Sequence, residues 1–181
     1  MAKTFNEIQT RKLRFINQYN PGQTEVLAIK SGINSAVRRA CVYSPNMTKE
    51  EKTKIRSFWG QCLSELGGKY IESQNEEQFK KDIQDLQEKM NKQFFNAFNP
   101  DERHRGFRIA QAQKSLSIYL KHMWCMNKIP TPPTCPIDRT ILGSSWIYDD
   151  YEQYCNHLEI VKTRNTTEEC LSVWELFAFQ R

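Results

Sequence analysis

Apolar residues recur along this chain at steps of three and four, the spacing that gathers them on one face of an α-helix. The cleanest run is Phe79, Ile83, Leu86, Met90 and Phe94, a near-heptad face opposite a charged one holding Glu76, Glu77, Lys80, Lys81, Asp82, Asp85, Glu88, Lys89 and Lys92. Val26, Ile29, Ile33, Val37, Ala40 and Cys41 make a second stripe, and Ile55, Phe58, Trp59, Cys62, Leu63 and Leu66 a third. Ile8, Phe15, Ile16 and Tyr19 make a shorter one near the start, with Arg11, Lys12 and Arg14 on its polar side. Strand-like alternation is scarce.

Local signals bound these segments. Thr4-x-x-Glu7, Thr48-x-x-Glu51, Ser73-x-x-Glu76 and Thr166-x-x-Glu169 are capping-box patterns, in which a hydroxyl and a carboxylate satisfy orphan amides at a helix start. Thr24 opens the second helix. Asn20-Pro21-Gly22, Ser44-Pro45-Asn46 and Asn99-Pro100 are breakers, and Gly67-Gly68 predicts a stop or kink in the third helix. Arg38 and Arg39 fall at the end of the second helix, where cations suit the dipole.

The densest stretch runs from Arg105 to Leu142. Ile109, Leu116, Tyr119, Leu120, Met123 and Trp124 predict a core helix, and Lys114 sits off that stripe at its edge. Pro130, Pro132, Pro133 and Pro136 then force extended or turning backbone. Asp138 follows as the natural N-cap of another short helix. Taken together, the expectation is a mainly α protein. It would be a compact bundle of about seven or eight helices in one domain over 1–181, with a proline-rich crossing near 129–136. Residue 100 is the place where such a chain could divide.

Composition narrows the function classes. With 7 Gly and 7 Pro in 181 residues, a turn-rich β-sandwich is not expected. The opening Met-Ala-Lys-Thr-Phe-Asn-Glu lacks the apolar core of a signal peptide. No apolar run reaches the ~18 residues that span a bilayer. The expected setting is therefore soluble and intracellular, with no membrane contact and with the 6 cysteines as reduced thiols. Phosphate-binding glycine loops and a Gly-x-Ser-x-Gly elbow are missing. His122-x-x-Cys125, Cys135 and Cys155-x-His157 could be arranged around zinc, but they lack the paired-cysteine knuckle. Asp149, Asp150 and Glu152 read as a helix start. No cofactor and no metal are expected.

Net charge is +5, and its distribution says more than its size. From Arg103 to Ile137 the chain has no acidic residue. That run carries Arg103, Arg105, Arg108, Lys114, Lys121 and Lys128, with His104 and His122, and is interleaved with Phe107, Tyr119 and Trp124. Cations alternating with aromatic rings can track a phosphate backbone and stack bases, which makes DNA or RNA a candidate partner. The same rings could equally be core, with the cations merely facing water.

Gln113-Lys114-Ser115, the prolines from 130 to 136 and Pro136-Ile137-Asp138 together resemble the C-terminal half of helix-hairpin-helix DNA glycosylases of the archaeal 8-oxoguanine glycosylase type. The resemblance spans about residues 105–142. It implies that the Lys114 amine attacks the anomeric carbon of the sugar, and that the Asp138 carboxylate supports the positive charge developing there. The family's Leu-Pro-Gly-x-Gly hairpin is missing before Lys114; Gly106 stands alone. The alternative is a non-enzymatic protein–protein interaction module that docks through the amphipathic helix 74–98 or the C-terminal aromatic segment. In that case Lys114 is a surface lysine and Asp138 a structural cap.

Overall fold

The computed structural model describes residues 5–37, 42–98 and 105–134. In order these form α1 (Phe5–Tyr19), α2 (Glu25–Val37), α3 (Lys49–Lys69), α4 (Glu76–Phe94), a 3₁₀ turn (Phe95–Ala97) and α5 (Ile109–Cys125). The mainly α expectation holds, with five α-helices and no strand among the described residues. One isolated antiparallel bridge ties Tyr43 to Phe98. No helix among the described residues is long and apolar enough to cross a membrane. Residues 126–134 carry no helix, as the prolines demand. The Thr4 and Thr166 caps, Arg38, Arg39, Cys41 and the segment holding Asp149, Asp150 and Glu152 lie outside the described residues.

Helix α5 is the axis of the bundle. Of its 17 residues only Ala110 is exposed. Helix α2 covers the longest part of it, with α4, α1 and α3 around the remainder. Gly32 shows how close α2 comes: a Cβ there would lie 2.6 Å from the Ser115 carbonyl oxygen. The residue that weakens α2 as a helix former is what lets the two backbones touch. A chain of rings fills the space beside α5. Trp59 meets Phe107 edge-on at 4.7 Å, and Phe107 meets Phe98 at 5.1 Å. The Trp59 indole N–H donates to Ser115 Oγ at 3.1 Å, so the largest core ring leaves no polar atom orphaned.

The helix starts obey local chemistry, with one correction. Thr48 Oγ1 accepts from the Glu51 amide at 3.1 Å, and Glu51 accepts from the Thr48 amide at 2.7 Å, completing the predicted capping box. The hydrogen bond from the Thr48 backbone amide, helped by the Thr48 side chain, holds the Glu51 carboxyl below its ordinary pKa. Thr24 Oγ1 accepts from the Leu27 amide at 3.2 Å. Ser73, however, is not the cap of α4. Asn75 is, accepting from the Gln78 amide at 2.8 Å. Asparagine caps as well as serine does, and its position sets the start two residues later.

Helix α3 runs through Gly67-Gly68 and ends one residue later, at Lys69. Two patterning expectations are corrected. Val26 is 73% exposed, because the buried face of α2 is centred on Ala28, Gly32, Ile33 and Ala36. Asp82 does not lie on the solvated side of α4. It is fully buried, and its carboxylate accepts from Tyr70 Oη (2.9 Å), Lys69 Nζ (2.7 Å) and Gln78 Nε2 (3.0 Å). Spaced three residues from Phe79 and four from Leu86, it shares their face. Three donors make a buried carboxylate tolerable there.

Candidate nucleic-acid interface

On α5, Lys114 and Lys121 are seven residues apart, and Lys128 lies seven further on, beyond the helix end. Seven residues are two turns and about 10 Å of rise, so Lys114 and Lys121 share a flank. Lys114 is half-buried and has no ion-pair partner among the described residues. Lys121 is half-buried and reaches across to α1, its Nζ 4.5 Å from the centre of the Phe15 ring. Lys128 is exposed in the turn that follows α5.

Helix α1 supplies the other wall. Arg11 and Arg14 are exposed, and neither pairs with an acid among the described residues. Phe15 and Tyr19 lie one turn apart with ring centroids at 5.1 Å, and Tyr19 is 55% exposed. Asn6, Thr10, Arg11, Arg14, Phe15, Gln18 and Tyr19 line an open depression of about 670 Å³. Phe15 joins this depression to α5, since it touches both Tyr19 and the His122 ring, the latter at 4.8 Å.

The seam between the two helices holds a group that sequence reasoning placed on the polar side of α1. Lys12 is 8% exposed. Its ammonium donates to Asn127 Oδ1 at 2.9 Å and sits 4.3 Å above the Trp124 ring. Burial pulls its pKa down, partly offset by the nearby Cys125 thiol. Asn127 presents its amide from a left-handed turn (φ 56°), a conformation asparagine tolerates better than most residues. The only advance signal for this seam was the run Arg11-Lys12-Leu13-Arg14-Phe15, which mixes cations and an aromatic ring. The contact from Lys12 to Asn127 joins residues far apart in the chain and has no local signature.

The remaining predicted residues fall in different places. Arg105 is exposed, its guanidinium 5.9 Å from the centre of the Phe95 ring. Arg108 is half-buried at the N-cap of α5; its backbone amide donates to Gln111 Oε1 at 2.9 Å, and its buried Nε has no partner. Trp124 is half-buried under Lys12. Tyr119 and Phe107 are core rings. The Tyr119 hydroxyl donates to Glu25 Oε1 at 2.8 Å, and burial, then that bond and the Glu25 charge, push its pKa up so that it stays protonated. Arg103 and Asp138 lie outside the described residues, as do His104, Pro136 and Ile137.

His122 adds no charge to this surface. It is 2% exposed, its Nδ1 has no hydrogen-bond partner, and burial, reinforced by Lys121, pulls its pKa to about 4. Cys125 is a buried free thiol that burial pushes up. No three His, Cys, Asp or Glu side chains cluster to hold a metal among the described residues. Cys135, Cys155 and His157 are outside them. The apolar stripe of α4, the suggested docking face for a protein partner, is taken up by the core: Phe79, Ile83, Leu86 and Met90 are all 0–1% exposed. No family model, no curated protein and no solved structure matches this chain.

Proposed function

We propose that this protein binds nucleic acid along the paired surfaces of α1 and α5, and that Lys114 and Asp138 act there as a DNA glycosylase-like pair. One observation carries the reading. Helix α1 packs on the C-terminal half of α5, where Lys121 reaches Phe15 in the depression lined by Arg11 and Arg14 and Lys114 lies two turns back along the same flank of α5, while Glu7 is the only acidic residue in the α1 sequence and none lies between Arg105 and Lys128. Such a surface releases counterions from a phosphate backbone, and that release drives non-specific nucleic-acid binding.

In the proposed chemistry the Lys114 amine attacks C1′ of the deoxyribose. The bond to the base breaks, and the base leaves with the bonding electron pair. Asp138 supports the positive charge that grows on the sugar. Loss of the amine proton and ring opening then yield an imine, which borohydride reduces to a stable secondary amine. Incubating the protein with single-stranded and duplex oligonucleotides carrying oxidised or deaminated bases in the presence of borohydride is expected to give a crosslinked species. Lys114→Ala is expected to abolish it. A crosslink that survives in Lys114→Ala removes that residue from the chemistry. Absence of any salt-dependent binding to DNA or RNA removes the whole reading.

A further inference from the structure

We infer that the α1 depression is a binding track for unpaired nucleotides, with Tyr19 as the stacking ring and Arg11 and Arg14 as phosphate contacts. This rests on the nucleic-acid reading above and names the form of nucleic acid that the surface selects. The track spans Asn6 to Tyr19, about 20 Å of helix. Its lining combines two unpaired guanidinium groups, three amide or hydroxyl side chains and two rings.

Duplex recognition has no use for an exposed ring in that position. A base in a duplex shows only its edge, whereas an unpaired base offers a face. Tyr19 stands 55% exposed at the end of the depression. Nothing in the fold requires it there, because the core contact of this turn is made by Ile16, which is 2% exposed. Phe15 packs beside Tyr19 with its ring tilted against it, and is itself in contact with His122 and Lys121. The stacking platform is therefore backed by packed side chains and not by a free rotamer. The pairing of cation and ring at Lys121 and Phe15 extends the same surface onto α5.

The test uses the full chain and single-stranded and duplex oligonucleotides carrying 2-aminopurine, whose fluorescence is quenched when it stacks. Tyr19→Leu is expected to weaken single-strand binding by about 5- to 100-fold and to relieve the quenching, the range typical of one base–aromatic stack. Tyr19→Phe keeps the ring and should stay within about 2-fold of wild type, which separates stacking from a folding defect. Arg11→Gln with Arg14→Gln should lower the slope of log affinity against log salt by about 1.4, at ~0.7 per lost single-strand phosphate contact. Unchanged circular dichroism is expected in every variant, since all three positions are exposed. If wild type binds oligonucleotides but Tyr19→Leu is neutral, the track is refuted and the general reading stands. The track is refuted in the same way if duplex and single strand suffer equally, or if a polyglutamate peptide binds as tightly as the oligonucleotide. If wild type binds neither form, both proposals fall.

Discussion

Gly67 and Gly68 are adjacent in the last turns of α3, yet replacing each with alanine should move stability in opposite directions. Alanine is the better helix former by up to about 1 kcal/mol, and that gain is available at both positions. At Gly68 a Cβ would meet nothing within 4 Å, so the gain survives, reduced to roughly 0.5 kcal/mol near a helix end. At Gly67 a Cβ would overlap the Tyr119 hydroxyl and lie 2.8 Å from two carbons of its ring. That ring is fully buried in α5 and cannot swing aside. Its hydroxyl is fixed by a 2.8 Å bond to Glu25, which also accepts from Ser64 Oγ at 2.7 Å. Overpacking costs about 1–3 kcal/mol, and losing a hydrogen bond to a charged acceptor about 1.5–3. After subtracting a helical gain of about 1 kcal/mol, Gly67→Ala should destabilise by about 1.5–5 kcal/mol. Urea unfolding followed by circular dichroism would read both values, with a constant m-value confirming that only stability has changed. In melting temperature the expected changes are a fall of roughly 3–20 °C for Gly67→Ala and a rise of about 1–2 °C for Gly68→Ala. A Gly67→Ala protein as stable as wild type would falsify the packing of α3 on α5 described above.

Two further substitutions test a helix cap and a buried imidazole. Asn75→Ala should cost about 1 kcal/mol through the lost cap of α4, whereas Ser73→Ala should change stability by less than about 0.5; the reverse order in chemical denaturation would restore Ser73 as the cap. His122 is held neutral in the folded protein with a pKa of about 4, while the unfolded chain takes up a proton from about pH 6.5. Its contribution is therefore fully present above pH 6.5 and is lost as pH falls toward 4, by at most about 3 kcal/mol. His122→Gln should flatten the stability profile between pH 6.5 and 5, and an unchanged profile would mean that the imidazole does not titrate as described.

Helix periodicity was enough to read out the class of the fold, because burying one face per helix is a local pattern repeated along the chain. Thr48 and Thr24 announced helix starts, since a cap needs only residues within one turn. Lys114 at the edge of the α5 stripe and the non-helical prolines after Cys125 were legible for the same reason. What the local pattern could not reveal was which neighbour each face would meet. Asp82 read as solvated until Tyr70, Lys69 and Gln78 converged on it. Lys12 read as a surface cation until Asn127 and Trp124 closed over it. Tyr119 read equally as a stacking ring and as core, and Gly67 as a helix breaker. One contact between them settles both, since the glycine exists to admit the tyrosine. The basic character of the stretch from Arg103 to Lys128 was determined by the sequence. That α1, with Arg11, Arg14, Phe15 and Tyr19, lies alongside its C-terminal half was decided only by the tertiary structure. Pairings between residues some hundred positions apart carry no periodic signature, because they arise from how helices pack and not from how any one helix forms.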